Sequence, residues 1–183
     1  FRRVLFRSKY PVVIKFVGPD FIHKSDKKAI FLNVKNKIEA ENILNQLDRE
    51  IKLKNISDKN YAIYQPMVAG DFELILGTKK DPVFGQLIMF GLGGIYAEIY
   101  KDISFELSDL DRKRAKKMIE NIKAFKILNG ARGRKPINFN QLIDIISKLA
   151  KMVNENPKFL EIDLNPLIVT ESEIKIADIR III

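Results

Sequence analysis

Residues 160–169, LEIDLNPLIV, open with strict alternation. Successive side chains of a strand point to opposite faces, so Leu160, Ile162 and Leu164 fall on one side and Glu161, Asp163 and Asn165 on the other. The run Ile174–Ile181 follows as the returning strand and carries Asp178 and Arg180. A slip of one residue would turn the whole row over, so the position of the turn decides which polar groups meet. A symmetric tight turn centred on Glu171 and Ser172 sets Asn165 opposite Asp178 and Asp163 opposite Arg180. Directly opposed residues have Cβ atoms about 4.5–5.5 Å apart.

That register puts an amide oxygen beside a carboxylate, with more carboxylate behind. Oxygen ligands of this kind suit Mg²⁺, which takes one or two protein carboxylates together with substrate phosphates. The same pattern also suits an edge hairpin with a solvated polar face.

A second strand begins the chain. Within Tyr10–Asp26, YPVVIKFVGPDFIHKSD, residues Pro11–Val17 read as a buried strand in which Lys15 closes an apolar run. A lysine ending such a strand at a sheet edge can offer three donors to phosphate oxygens, or can simply rest its head in water. His23, the single histidine, is the one side chain whose unperturbed pKa lies near neutrality. Histidine can also carry a phosphoryl group covalently. Gly91-Leu92-Gly93-Gly94 follows an apolar strand, as phosphate loops do, yet it lacks the spacing of a dinucleotide motif and any Walker lysine. It serves equally as a tight strand connection.

Between these stretches the chain predicts strands over Ala29–Val34, Tyr61–Val68, Phe72–Gly77 and Val83–Phe90, with one or two more within Ile95–Leu107. Three helices follow from capping residues and apolar periodicity. Asn36 precedes the first, whose apolar positions are Ile38, Ile43, Leu44, Leu47 and Ile51. Ser108 is expected to cap the second, with Asp111 in its first turn. Asn138 and Gln141 form a capping pair for the third. The sum is a mixed α/β (α+β) domain with mostly antiparallel sheet.

At 183 residues, 46% of them hydrophobic, the chain fits one domain or two small lobes. It has no cysteine, hence neither disulfides nor a thiolate metal site, which suits the reducing cytoplasm. No stretch approaches the roughly 18 apolar residues needed to span a membrane. The net charge of +9 suggests an anionic partner. Residues 1–8, FRRVLFRS, fit no later pattern and read like a translated sequencing adapter. Setting aside Arg2, Arg3 and Arg7 lowers the charge to +6. An adapter abutting Lys9 implies that the natural chain was cut there, so residues 9–183 are expected to be a fragment.

Taken together, the stretches resemble the ATP-grasp domain of NDP-forming acyl-CoA synthetases, the group that includes ADP-forming acetyl-CoA synthetase and is related to succinyl-CoA synthetase. Four blocks carry the likeness: residues 10–26; residues 64–105, with KDPVFG followed by MFGLGG; ILNGARG at 127–133; and LEIDLNPLIV with ADIR at 160–180. The resemblance implies an N-terminally truncated ATP-grasp fold, with a small lobe over about 9–65 and a large lobe over about 66–183. It implies that Lys15 holds nucleotide α/β-phosphates, that Gln65, Pro66, Met67 and Val68 edge the adenine, and that Glu73 binds the ribose. Arg132 would contact phosphate, Asn165 and Asp178 would hold Mg²⁺, and His23 would shuttle the phosphoryl group. The implied activity is an acid–CoA ligase with ATP/ADP as substrate and a CoA-ligase (alpha) subunit or domain as partner, in a hetero-oligomer. Lys27, Lys28 and Ala29 stand where the family usually has a glycine pair. Two other readings are a domain fused to an acetyltransferase with a degenerate ligase half, and a basic nucleic-acid module. The second would need aromatics interleaved with Lys/Arg on one face, and Tyr61, Tyr64, Phe72 and Phe84 are not so arranged.

Overall fold

The computed structural model describes residues 9–18, 29–54, 61–94, 101–170 and 172–183; for 47, 50–54 and 132 it describes backbone alone. The chain divides into two compact units, Phe1–Met67 and Val68–Ile183.

In the first unit, β1 (Val12–Val17) is the middle strand of an antiparallel sheet, with β2 (Ile30–Val34) on one side and β3 (Tyr61–Pro66) on the other. Val12, Ile14 and Phe16 are buried on one face against Val34 and Ala40. Phe16 meets Phe31 edge to face, with ring centroids 5.8 Å apart. Helix α1 (Lys37–Lys54) packs Ile43 and Leu44 onto this cluster. Its start is capped as the sequence indicates: Asn36 Oδ1 accepts the Glu39 N–H at 2.9 Å. Glu39 reaches back one residue further than expected, accepting the Lys35 N–H at 2.8 Å. Ile38, expected inward, is 71% exposed, because the apolar stripe of the helix begins on the next turn.

The second unit is a six-stranded antiparallel sheet with helices on one face. Its strands are β4 (Phe72–Asp81), β5 (Gly85–Leu92), β6 (Ile103–Leu107), β7 (Glu161–Val169), β8 (Ile174–Ile176) and β9 (Ile179–Ile182). Their order is β6-β5-β4-β7-β8, and β9 also pairs with β7. The helices are α2 (Arg112–Glu120), the short α3 (Phe125–Leu128), a 3₁₀ turn at Ala131–Gly133, and α4 (Phe139–Glu155). Leu74, Leu76, Phe90, Ile162, Leu164 and Leu167 project from the sheet into a core closed by Met118, Ile119, Leu142, Ile146 and Val153. Burying each such side chain contributes about 1.5–3 kcal/mol. Leu160 precedes β7 and is 45% exposed, so the inward row begins only at Ile162.

Asn138 caps α4 by accepting the Gln141 N–H at 3.0 Å, a contact worth about 1 kcal/mol. The expected cap of α2 is displaced. Asp111, not Ser108, is its N-cap, accepting the Arg114 N–H at 2.7 Å. Ser108 instead donates to Asn154 Oδ1 at 2.5 Å, while Asn154 Nδ2 donates to Ser108 O, so this serine ties β6 to the end of α4.

Arg114 bridges Glu106 at 2.7 Å and Asp109 at 2.9 Å. Its hydrogen bond holds the Glu106 carboxyl below the usual carboxylate range. A lowered folded pKa stabilises the fold above the unfolded value, and that stabilisation is lost as pH falls through the folded value. The Glu106→Gln variant is therefore expected to be less stable than the parent at pH 7, with the gap closing below about pH 4. Urea midpoints measured across that range check this, and a gap independent of pH contradicts it.

Candidate nucleotide and metal site

In the first unit Lys15 is an internal residue of the central strand, which corrects the expectation of a strand-end lysine at a sheet edge. It pairs with Ile30 on β2 and Ile63 on β3, on the face opposite Ile14 and Phe16. Only 5% of it is exposed. Lysines are rarely buried so deeply without a counter-charge or hydrogen-bonded setting, and Lys15 does have an interaction partner. Gln65 pairs with Val13, two residues from Lys15 on the same strand. Directly paired residues share a face, so Gln65 and Lys15 lie on one side of this sheet. Met67 continues the line of β3 by donating its N–H to Pro11 O at 3.0 Å.

In the second unit the hairpin has the register read from its sequence. Glu161 pairs with Ile182, Asp163 with Arg180, and Val169 with Ile174. The ladder is interrupted at Ala177 and Asp178. There Ala177 N donates to Pro166 O at 2.9 Å and Asn165 N to Asp178 O at 3.2 Å. Asn165 therefore stands across from Asp178. On the other edge of β7, Leu74 pairs with Leu167 but Leu76 with Leu164, so Asn165 and Pro166 together face Ile75. This is a β-bulge, and it lodges a proline that has no N–H to give the ladder. The sequence carries its trace: Pro166 falls inside the strand, and the inward apolar row jumps by three residues from Leu164 to Leu167.

The face of the sheet away from the helices carries Glu73, Asp163 and Arg180, with Asn165 and Asp178 further along. Gly77 pairs with Asp163 and lets the two strands approach closely: a Cβ there would lie 3.1 Å from Ile162 O and 3.9 Å from Asp163 Oδ1. Burial pushes the Asp163 carboxyl above its ordinary range; Glu161 and Asp178 add to this and Arg180 opposes it. On this face Asp163 is paired with Arg180 of β9, and Glu161 with Lys79 of β4. An amide-bearing residue and a carboxylate-bearing residue held opposite one another by their backbones offer oxygen donors of the type that fits a hard divalent cation. Among the described residues no group of three or more His, Cys, Asp or Glu forms a cage of its own, so further ligands would come from substrate or water.

The glycine run resolves toward the tight connection. Gly93 N donates to Glu73 O at 2.7 Å and Leu92 N to Asp102 O at 3.3 Å. A Cβ on Gly93 would lie 3.0 Å from Glu73 O, and one on Gly94 3.2 Å from Glu73 Oε2. The glycines let this segment close over Glu73, and two of its N–H groups are occupied by protein carbonyls. Asp102, which the sequence did not single out, is buried, and its two carboxylate oxygens accept the N–H groups of Lys123 and Ala124, each at 2.7 Å. It anchors the approach to the 129–134 loop. There Arg134 lies 5.6 Å over the Phe72 ring and 3.8 Å from Asp71. Arg132 lies in the 3₁₀ turn of this loop, with its backbone alone described. His23 lies outside the described residues, as do Lys27 and Lys28.

This combination, two antiparallel sheets with an amide–carboxylate couple on the last hairpin, is that of a nucleotide-binding ATP-grasp protein. Residues 2–183 match the ATP-grasp domain, and the chain belongs to that family. It is 41% identical over 180 residues to acetate–CoA ligase [ADP-forming] I of Archaeoglobus fulgidus, covering 95% of this chain and 25% of that protein. It is also 41% identical over 175 residues to the beta subunit of acetate–CoA ligase [ADP-forming] I of Pyrococcus furiosus, covering 95% of this chain and 75% of the subunit. The chain thus spans a quarter of the first relative and three quarters of the second. Among solved structures it matches acetyl-coenzyme A synthetase 1 of Ca. Korarchaeum cryptofilum in complex with coenzyme A and Mg-AMPPCP, with a phosphohistidine segment pointing towards the nucleotide binding site. The TM-score is 0.79 at 34% identity, covering 98% of this chain and 79% of that one. Among the described residues no helix is long and apolar enough to cross a membrane.

A carboxyl whose folded pKa is raised costs stability once it ionises, and that cost vanishes as pH falls below its unfolded value. In the presence of EDTA, Asp163→Asn is therefore expected to be more stable than the parent at pH 8, with the difference fading by pH 4. If denaturation curves show Asp163→Asn less stable at pH 8, attraction to Arg180 outweighs burial and repulsion.

Proposed function

We propose that this chain is the nucleotide-binding, phosphoryl-transfer part of an ADP-forming acid–CoA ligase. The reaction is acyl-CoA + ADP + phosphate ⇌ acid + CoA + ATP, through a phosphohistidine. One observation carries this reading: Asn165 stands across from Asp178 on the last hairpin, beside a half-buried acidic row, in a chain of this family.

Lys15 holds the α/β-phosphates; it is buried in the central strand, whose neighbours pair with it at Ile30 and Ile63. Gln65, Pro66, Met67 and Val68 edge the adenine, and Glu73 takes the ribose hydroxyls. Arg132 contacts phosphate. Asn165 and Asp178 are the residues that hold Mg²⁺, which when bound neutralises phosphate oxygens. The protein's contribution is positioning and fixed charge. His23 attacks the γ-phosphorus, an N–P bond forms as the P–O bond to ADP breaks, and the phosphoryl group passes on to the CoA-ligase part. That the Korarchaeum relative has a phosphohistidine segment and was solved with Mg-AMPPCP supports both assignments. The CoA-ligase part is either a separate subunit, as the name of the Pyrococcus relative suggests, or a region of a longer chain, as the length of the Archaeoglobus protein suggests. A chain without cysteine, working on ATP, fits the cytoplasm.

With γ-labelled ATP, Mg²⁺ and the CoA-ligase partner, the chain is expected to take up label in an acid-labile bond. His23→Ala abolishes that uptake, and Asp178→Asn raises the Mg²⁺ concentration needed for it by about 10-fold or more. Label retained by His23→Ala excludes the phosphohistidine, and an unchanged Mg²⁺ requirement in Asp178→Asn excludes the metal assignment.

A further inference from the structure

Helix α4 holds backbone elements at both ends through amide side chains. At its first turn Gln141 Nε2 donates to Ile174 O at 3.1 Å, and Gln141 Oε1 accepts the Ile174 N–H at 2.7 Å. At its last turn Asn154 Oδ1 accepts the Ser108 hydroxyl at 2.5 Å and Asn154 Nδ2 donates to Ser108 O at 2.8 Å. The Gln141 amide behaves toward Ile174 as a further strand would, satisfying both backbone groups of an edge residue. Ile174 is buried and opens β8, which makes only three ladder pairs to β7 and then breaks at Ala177 and Asp178. So short a segment is held weakly by its own ladder.

We infer that Gln141 is a positioning residue for the metal couple. By fixing Ile174 against the rigid start of α4, it sets the height at which the returning strand presents Asp178 to Asn165. This inference rests on the metal reading given above. Asn154 is its internal control, because its amide also clamps a segment to the same helix but holds β6, which carries no proposed ligand.

The test is the Mg²⁺ dependence of ATP binding by the 183-residue chain, followed calorimetrically well below the unfolding temperature. Gln141→Met fills the same space without polar atoms. It is expected to raise the Mg²⁺ requirement measurably, by less than the loss of a ligand itself. Asn154→Ala is expected to lower thermal stability while leaving the Mg²⁺ requirement unchanged. Gln141→Glu keeps the acceptor for Ile174 N–H and loses the donor; it is expected to fall between parent and Gln141→Met, and it decides the matter if Gln141→Met does not fold. Equal shifts in the Gln141 variants and Asn154→Ala, or none in the Gln141 variants, overturn the inference. Asp178→Asn separates the layers: if it leaves the Mg²⁺ requirement unmoved, the metal reading itself fails. If it moves the requirement and the Gln141 variants do not, only the positioning role falls.

Discussion

The second unit depends on the register of β7. This strand pairs along one edge with β4 and along the other with β8 and β9. Its inward residues Ile162, Leu164 and Leu167 belong to the core, so a one-residue slip would expose all three and bury Glu161 and Asp163. Burying unpaired carboxylates costs several kcal/mol each, which adds to the loss of the apolar contacts in ruling that alternative out. The polar row of the open face thus takes its place from the apolar row of the hidden one. The bulge at Asn165 and Pro166 adds a single adjustment: it absorbs the missing proline N–H and lets Leu167 regain the core.

Both sheets carry charge on the face opposite their apolar packing. In the first unit the charge is Lys15, flanked by isoleucines in a buried position. In the second it is the row of Glu161, Asp163 and Asp178, with Lys79 opposite Glu161 and Arg180 opposite Asp163. In the proposed reading the phosphates of a nucleotide meet the ammonium, and its metal ion meets the carboxylates. Perturbed charges in paired, structured settings are where functional sites concentrate.

Most of this was legible because it depends on short-range rules. The hairpin register followed from alternation and one assumption about its turn, and the structure has the same pairs. The caps at Asn36 and Asn138 followed from residue type and spacing. Failures came where a side chain had a distant partner. Ser108 looked like a cap, but Asn154, far along the chain, claims its hydroxyl. Gln141 looked like half of a capping box, yet its amide pairs with Ile174. The strand to Val17 was legible, but Lys15 looked like a strand-end residue at a sheet edge because charge interrupts the apolar run, whereas it lies buried in the central strand. No local pattern announces any of these, because each is fixed by tertiary contact.

The glycine run bears on how phosphate could be held at all. A backbone cradle needs N–H groups free to face an anion. Leu92 and Gly93 have theirs directed at Asp102 O and Glu73 O, and the glycines there are explained by close approach to Glu73. In the proposed reading, phosphate recognition therefore rests on ammonium and guanidinium groups, Lys15 among them. A side-chain cation gives up rotamer entropy when it binds, but it also supplies full charge. Recognition built on such groups should depend more on ionic strength than a main-chain cradle would, because screening acts on full charges far more than on fixed dipoles.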